Sequence, residues 1–167
     1  MMRHIRTRAA IAAAAALIAA GTITAGVSTA SPEAKSTKPT TAEIAGLFDG
    51  WRAALATGDP EIVADRYASD AVLLPTLSPE IRTDRAGIVD YMTSFLAKKP
   101  VASKVQTVIK VLDNNEAIDT GLYEFQLTDP DTGVVSTVEA RYTFEYEKLD
   151  GHWLIENHHS SLLPAAS

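Results

Sequence analysis

The amino-acid sequence predicts an α+β fold in which N-terminal helices pack on the concave face of a strongly curved antiparallel sheet. Three observations carry that expectation. Apolar residues recur at helical spacing between Ile44 and Leu96, whereas after Pro100 the period is two. The alternating runs are joined by the turn signals Asp113-Asn114-Asn115, Asp129-Pro130-Asp131-Thr132-Gly133 and Leu149-Asp150-Gly151. Such short connections join neighbours, so the four later strands should form a meander.

The elements follow in order. Met1 to Arg8 carries Arg3, Arg6 and Arg8 and no acid, Ala9 to Ala20 is alanine-rich, and Val27-Ser28-Thr29-Ala30 is a run of small residues. That is the layout of a secretory signal peptide cleaved after Ala30, with an apolar part shorter than the roughly 20 residues of a membrane anchor. Residues 31–39 form a polar, proline-bounded leader, expected to be disordered. One domain then occupies residues 40–167. Thr40-Thr41-Ala42-Glu43 fits a capping box, Ile44, Leu47, Phe48, Trp51 and Leu55 share a helical face, and Gly58 ends the run. Gly50 inside this helix suggests a close approach to another element. Asp59-Pro60 opens a short second helix to about Ala68, and Ala71 to Leu74 is a short apolar strand. Pro75 to Thr83 is a loop, and Thr83 or Asp84 caps a third helix with the face Ile88, Tyr91, Met92, Phe95 and Leu96.

Strands follow at Lys104 to Leu112 and Ala117 to Thr128, then the Thr137 to Ser161 hairpin. In its first arm Val138, Ala140, Tyr142, Phe144 and Tyr146 fall on one face, and Glu139, Arg141, Thr143 and Glu145 on the other. In its second arm Trp153, Ile155, Asn157, His159 and Ser161 oppose Leu154, Glu156, His158 and Ser160.

Composition narrows the function classes. The formal charge of the 167-residue chain is −6, and loss of Arg3, Arg6 and Arg8 with the signal peptide takes it to −9. Such a surface repels nucleic acid and anionic lipid, so neither is an expected partner, and no membrane association is expected after cleavage. With no cysteine, an exported chain must hold its fold by core packing. Adjacent strand residues point to opposite faces, so His158 and His159 do not share one ion, His4 leaves with the signal peptide, and no metal is expected. No glycine-rich dinucleotide turn is present, and no cofactor is expected. Ser160 and Ser161 follow no nucleophile elbow, and Asp65, Asp70, Glu124 and Glu139 form no recognisable base pattern, so no catalytic residue is assigned. Trp51, Tyr67 and Tyr123 read as core or pocket wall.

The segments RTDRAGIVDYMTSFL (82–96), AIDTGLYEFQL (117–127), ARYTFEY (140–146) and HWLIENHHSSLLP (152–164) resemble bacterial proteins related to the association domain of calcium/calmodulin-dependent protein kinase II. These SgcJ/EcaC- and SnoaL-like proteins lie in the nuclear-transport-factor-2-like (NTF2-like) superfamily, alongside ketosteroid isomerase. The resemblance implies a cone with a pocket between sheet and helices, and a homodimer or larger ring. It implies a pocket arginine at Arg141 and a pocket tyrosine at Tyr91, while Ile88, Gln126 and Ser160 stand where the family carries a histidine and two arginines. A pocket of that kind keeps Arg141 as its one carboxylate clamp, with Gln126, Tyr91 and a histidine as hydrogen-bond partners. Without the resemblance, Arg141 reads equally as part of a solvated face beside Glu139 and Glu145, or as an inward guanidinium that must meet Glu139, Glu124 or a ligand. Parity with Ser160 places His158 inside, whereas parity with Trp153 and identity to the family's histidine place His159 inside, and the sequence leaves this open.

These readings converge on a secreted homo-oligomer that binds a small polar or weakly acidic molecule at Arg141, His158, His159, Tyr91, Gln126, Glu139, Trp51 and Ser160, without catalysis. The alternative is a SnoaL- or ketosteroid-isomerase-type enzyme acting on a small carbonyl compound, with His158 or His159 as base and Arg141 polarising the oxygen. In a third reading assembly is the function, with Tyr142, Phe144, Tyr146, Tyr123 and Phe125 either an aromatic patch on the outer sheet face or simply the core, a choice the sequence leaves open.

Overall fold

The computed structural model describes residues 38–165; the expected signal peptide, its expected cleavage point and the expected leader up to Thr37 lie outside the described residues. Helix α1 spans Thr41–Thr57. The Thr40 hydroxyl accepts from the Glu43 amide at 3.2 Å and the Glu43 carboxylate accepts from the Thr40 amide at 2.7 Å, which closes the capping box. Gly58, at φ 73°, ends the helix in the left-handed conformation that glycine adopts without strain. Thr40→Ala should therefore lower stability by about 1 kcal/mol in urea unfolding, through loss of the cap alone.

Helix α2, Pro60–Ala64, is shorter than its sequence suggests, because strand β1 already starts at Tyr67 and runs to Leu74. Helix α3, Arg85–Leu96, is capped by Asp84, whose carboxylate accepts from the Gly87 amide at 2.8 Å. Strands β2 (Val101–Val111), β3 (Glu116–Thr128), β4 (Val135–Leu149) and β5 (His152–Leu162) form the expected antiparallel meander. The sheet order is β1-β5-β4-β3-β2, and β1 pairs with β5 in parallel, so the sheet is mixed at that edge.

Helix α1 lays Ile44, Phe48, Trp51 and Leu55 onto the inner sheet face. The Phe48 ring centroid lies 6.2 Å from that of Tyr142, and the Trp51 centroid lies 5.3 Å from that of Phe144. Each large side chain buried there contributes roughly 1.5–3 kcal/mol. The rings of Tyr123, Phe125, Tyr142, Phe144 and Tyr146 all belong to this buried core. Of the two readings the sequence leaves open for these aromatics, the core applies and the outer patch does not: they share the dry parity of their strands and meet α1.

Two bulges bend the β2–β5 meander, and the β1–β5 edge is also irregular between Tyr67 and Val72. On β2, Lys104 pairs with Tyr123 and Gln106 with Leu122, so Val105 is the extra residue. On β5, Ile155 pairs with Tyr146 and Asn157 with Glu145, so Glu156 is extra. Inward residues are therefore three apart at these points instead of two: Lys104 and Thr107, Ile155 and His158. At the first bulge the β2 backbone presses onto Gly121, where a Cβ would stand 1.9 Å from the Gln106 carbonyl oxygen. Gly50 is different. A Cβ there would meet only the Arg66 guanidinium, at an ordinary 3.6 Å, so the close approach expected at Gly50 occurs at Gly121 instead. Among the described residues no helix is long and apolar enough to cross a membrane.

Candidate functional site

Between α1, α3, the Pro75–Thr83 loop and the inner sheet face lies a hollow of about 20 Å³, room for about one water. Its walls are mostly apolar: Leu73, Pro75, Leu77, Met92, Phe95, Phe125, Leu127 and Val138. Its polar lining comes from Trp51, Thr76, Tyr91, Tyr123, His158 and Ser160, and no carboxylate or amine lines it.

The polar groups form one directed chain. The Trp51 Nε1–H donates to the Tyr67 hydroxyl at 3.1 Å, and that hydroxyl lies 2.9 Å from His158 Nδ1. An indole only donates, so the Tyr67 proton goes on to Nδ1, and the network assigns the His158 proton to Nε2. Nε2 faces the Tyr123 hydroxyl at 3.4 Å, Tyr123 donates to Ser160 Oγ at 2.5 Å, and Ser160 continues to the Thr76 hydroxyl on the loop. His158 also stacks on Phe144 with centroids 4.0 Å apart.

Burial sets the protonation of this chain. Desolvation, with a smaller push from His159, lowers the His158 pKa to about 3, so its ring is neutral at physiological pH. Desolvation raises Tyr91 to about 12 and pushes Tyr67 and Tyr123 well above the ordinary tyrosine value. No member of the chain with a shifted pKa titrates near neutrality, where a general acid or base would have to work.

A second buried polar cluster sits toward the β2 side. Asp119 is fully buried and is held by Lys104 Nζ at 2.6 Å and by the Tyr142 hydroxyl at 2.9 Å. The Lys104 amine also lies 4.6 Å from the Phe48 ring centroid, so its charge is matched twice.

The residues named from sequence divide between two faces. Trp51, Tyr91, His158 and Ser160 line the hollow. Arg141, Gln126, Glu139 and His159 are exposed on the outer face of the sheet. The expected inward position of Arg141 is thereby corrected: β4 runs without a bulge from Val135 to Glu145, and Arg141 alternates with the buried Ala140 and Tyr142. Gln126 alternates with Phe125 and Leu127 on β3 in the same way. His159 faces out because the Glu156 bulge brings His158 onto the inward parity of Ile155. Arg141 and His159 instead border an open groove of about 460 Å³ on the outer face, with Gln106, Thr120, Thr143 and Ser161. Sequence reasoning missed Thr76, which terminates the chain from the loop, and the cations Arg82 and Lys98 beside the hollow's mouth.

The model of the calcium/calmodulin dependent protein kinase II association domain matches residues 40–164, nearly the whole described region. The chain belongs to this family. A solved structure from Xanthomonas campestris assigned to the same association domain is 52% identical, over 77% of this chain and 91% of that one, with a TM-score of 0.75. A ketosteroid isomerase-like protein from Erwinia carotovora atroseptica is 18% identical over 74% of this chain and 96% of that one, with a TM-score of 0.62. A nuclear-transport-factor-2-like protein from Shewanella oneidensis is 21% identical over 72% and 98%, with a TM-score of 0.59. The last two likenesses establish the α+β cone and nothing of its chemistry. No curated protein matches the chain.

Proposed function

We propose that this association-domain protein is an exported, homo-oligomeric binder of a small polar or weakly acidic molecule, and that it does not transform what it binds. The observation that carries this reading is the hollow itself: apolar walls, a floor of hydroxyls and a neutral imidazole, and pKa values driven away from neutrality. Such a floor can exchange hydrogen bonds with a guest, but it offers no carboxylate for proton abstraction. Homo-oligomerisation is supported by family membership. Export is supported by the three arginines ahead of the alanine-rich run.

The ketosteroid-isomerase-type alternative needs a base over the substrate, and neither histidine nor Arg141 serves it. His159 and Arg141 face outward, and His158 has both ring nitrogens engaged. Thermal melts against a panel of small phenols, amides and carboxylic acids test the binding reading. At a ligand concentration 100 times Kd, the stabilisation is worth about 2.7 kcal/mol. Leu77 is exposed at the mouth, so Leu77→Trp should fold normally and abolish the ligand-induced rise in Tm. No rise in the wild type, or an equal rise in Leu77→Trp, would refute the pocket. Turnover of an enolisable ketone would refute the absence of catalysis.

A further inference from the structure

The bulge at Val105 divides β2 into two halves that treat their side chains differently. Beyond it, Thr107 reaches the Tyr142 hydroxyl from the inner side, and Ile109 and Val111 pack against the core. Before it, the inward residues are Ala102 and the cation Lys104, while Val101 and Val105 stand 57% and 60% exposed. This half of the strand hides its charge and shows its valines.

A strand without the bulge would do the reverse. Strict alternation continued back from Val111 puts Ile109, Thr107, Val105, Ser103 and Val101 inward, and Gln106, Lys104 and Ala102 outward. In that register Val105 stands opposite Tyr123, and Lys104 stands opposite Glu124, where opposite charges attract across the strands; at present Ser103 faces Glu124. A slip of one residue, confined to residues 101–105, converts one arrangement into the other.

We propose that the Lys104–Asp119 ion pair is a latch that holds β2 in its bulged register, and that releasing it slips residues 101–105 by one position, drawing Val101 and Val105 inward and turning Lys104 out to Glu124.

Asp119 is the reason the latch holds. It is fully buried, and its two oxygens accept from Lys104 Nζ at 2.6 Å and from the Tyr142 hydroxyl at 2.9 Å. No other cation pairs with it among the described residues. Were Lys104 to leave, a buried carboxylate would keep one hydroxyl and lose its only counter-charge, a penalty larger than the gain from covering two valines.

Without a charge at position 119 the balance reverses. Lys104, whose side chain is 19% exposed, would keep only the Phe48 ring as a partner, at 4.6 Å from its centroid. The slipped strand offers that amine water and Glu124, and it covers the valines. The connection from α3 favours the slip as well. Lys99, just before Pro100, is held at φ 45°, in the left-handed region that any side chain beyond glycine enters at a cost. A slip shortens the gap that residues 97–100 must bridge, and the slack lets Lys99 leave that conformation.

The latch thereby decides what the outer face presents along its β2 edge. Closed, it presents the exposed row Val101, Val105 and Val108. Released, it presents Val108 and a lysine–glutamate pair.

Cross-strand nuclear Overhauser contacts in the full chain read the register directly. The unchanged protein should show Ser103 opposite Glu124, with the slipped form below detection. Asp119→Asn keeps the shape of the side chain and removes its charge. It should shift the ratio of the two registers by about a hundredfold, so that Lys104 lies opposite Glu124 and Val105 opposite Tyr123. Adding Glu124→Lys sets two like charges face to face in the slipped strand, and should return Ser103 to its place opposite residue 124. Lys104→Ala opens the latch from the other side and should slip too, because Asp119 is then unpaired in both registers and the valines choose between them. If Ser103 stays opposite residue 124 in Asp119→Asn, or if the strand loses its contacts without gaining the second set, the latch is refuted and the ion pair is a fastener only. Slippage that persists after Glu124→Lys would refute the role of Glu124 as the outer partner. Should Asp119→Asn fail to fold, Lys104→Ala decides by the same contacts, and failure of both refutes the proposal, since the slipped chain is a folded state.

Discussion

Gly121→Ala should be the most damaging small substitution in the molecule, costing on the order of 3 kcal/mol or more in urea unfolding. The cause is not backbone conformation, since the positive-φ glycines are Gly58, Gly133 and Gly151. It is contact. The added methyl would stand 1.9 Å from the Gln106 carbonyl oxygen and 2.8 Å from its carbon. Both are backbone atoms in the bulge that lets β2 follow the curved sheet, and neither can rotate away. Relief would require β2 to lift from β3, which disturbs Lys104, its partner Asp119 and the α1 face above them. Gly46→Ala is the matched control. It lies inside α1 with nothing within 4 Å of the new methyl, so it should stabilise by about 0.5–1 kcal/mol through helix propensity. Equal effects from the two substitutions would contradict the bulge as the source of the constraint.

The contrast between these glycines also explains how far the sequence could be read. Local signals were legible because their partners are neighbours. The Thr40–Glu43 box and the Gly58 stop lie where the residues alone place them, and the third helix is capped by Asp84, one of the two candidates they offer. Strand parity was legible too. It set Arg141 against Tyr142 and Phe144, and the resemblance to the kinase association domain then drew Arg141 inward against that parity. The fold sides with parity, because nothing short of a bulge between residues 138 and 145 could turn one side chain over.

Where bulges do occur, parity fails and no residue type announces it. Glu156 is neither glycine nor proline, yet it puts Ile155 and His158 on one face and so decides between the two histidines. The need for glycine at 121 was hidden for the same reason, since it depends on Val105 being extra in a neighbouring strand. Arg82 and Lys98 escaped notice because they come from a loop and a helix end and meet only beside the hollow's mouth.

His158 makes acid sensitivity the second large effect. Its ring is 3% exposed and its pKa is lowered to about 3, whereas an unfolded histidine titrates near 6.5. Between these values the unfolded chain binds a proton that the folded chain refuses, so stability is full above about pH 6.5 and falls as pH drops toward 3. The slope is about 1.4 kcal/mol per pH unit, or about 2 kcal/mol between pH 6.5 and 5, before most carboxylates begin to titrate. The groups facing the ring are Trp51, Tyr67, Tyr123 and Phe144 from other elements and Ser160 from β5 itself, and none ionises in that window. Glu156, whose carboxyl is raised by desolvation and by Glu147, Asp70 and Glu145, works in the opposite sense and flattens the acid end of the curve. His158→Gln should lower stability at pH 7 by about 2 kcal/mol, through the lost stack on Phe144 and a mismatched hydrogen bond. The same variant should lose most of the slope between pH 6.5 and 5, so the two stability curves converge as the solution is acidified. Parallel curves over that range would mean that His158 takes up its proton without unfolding the protein, and that the Trp51-to-Thr76 chain is more open to water than its burial implies.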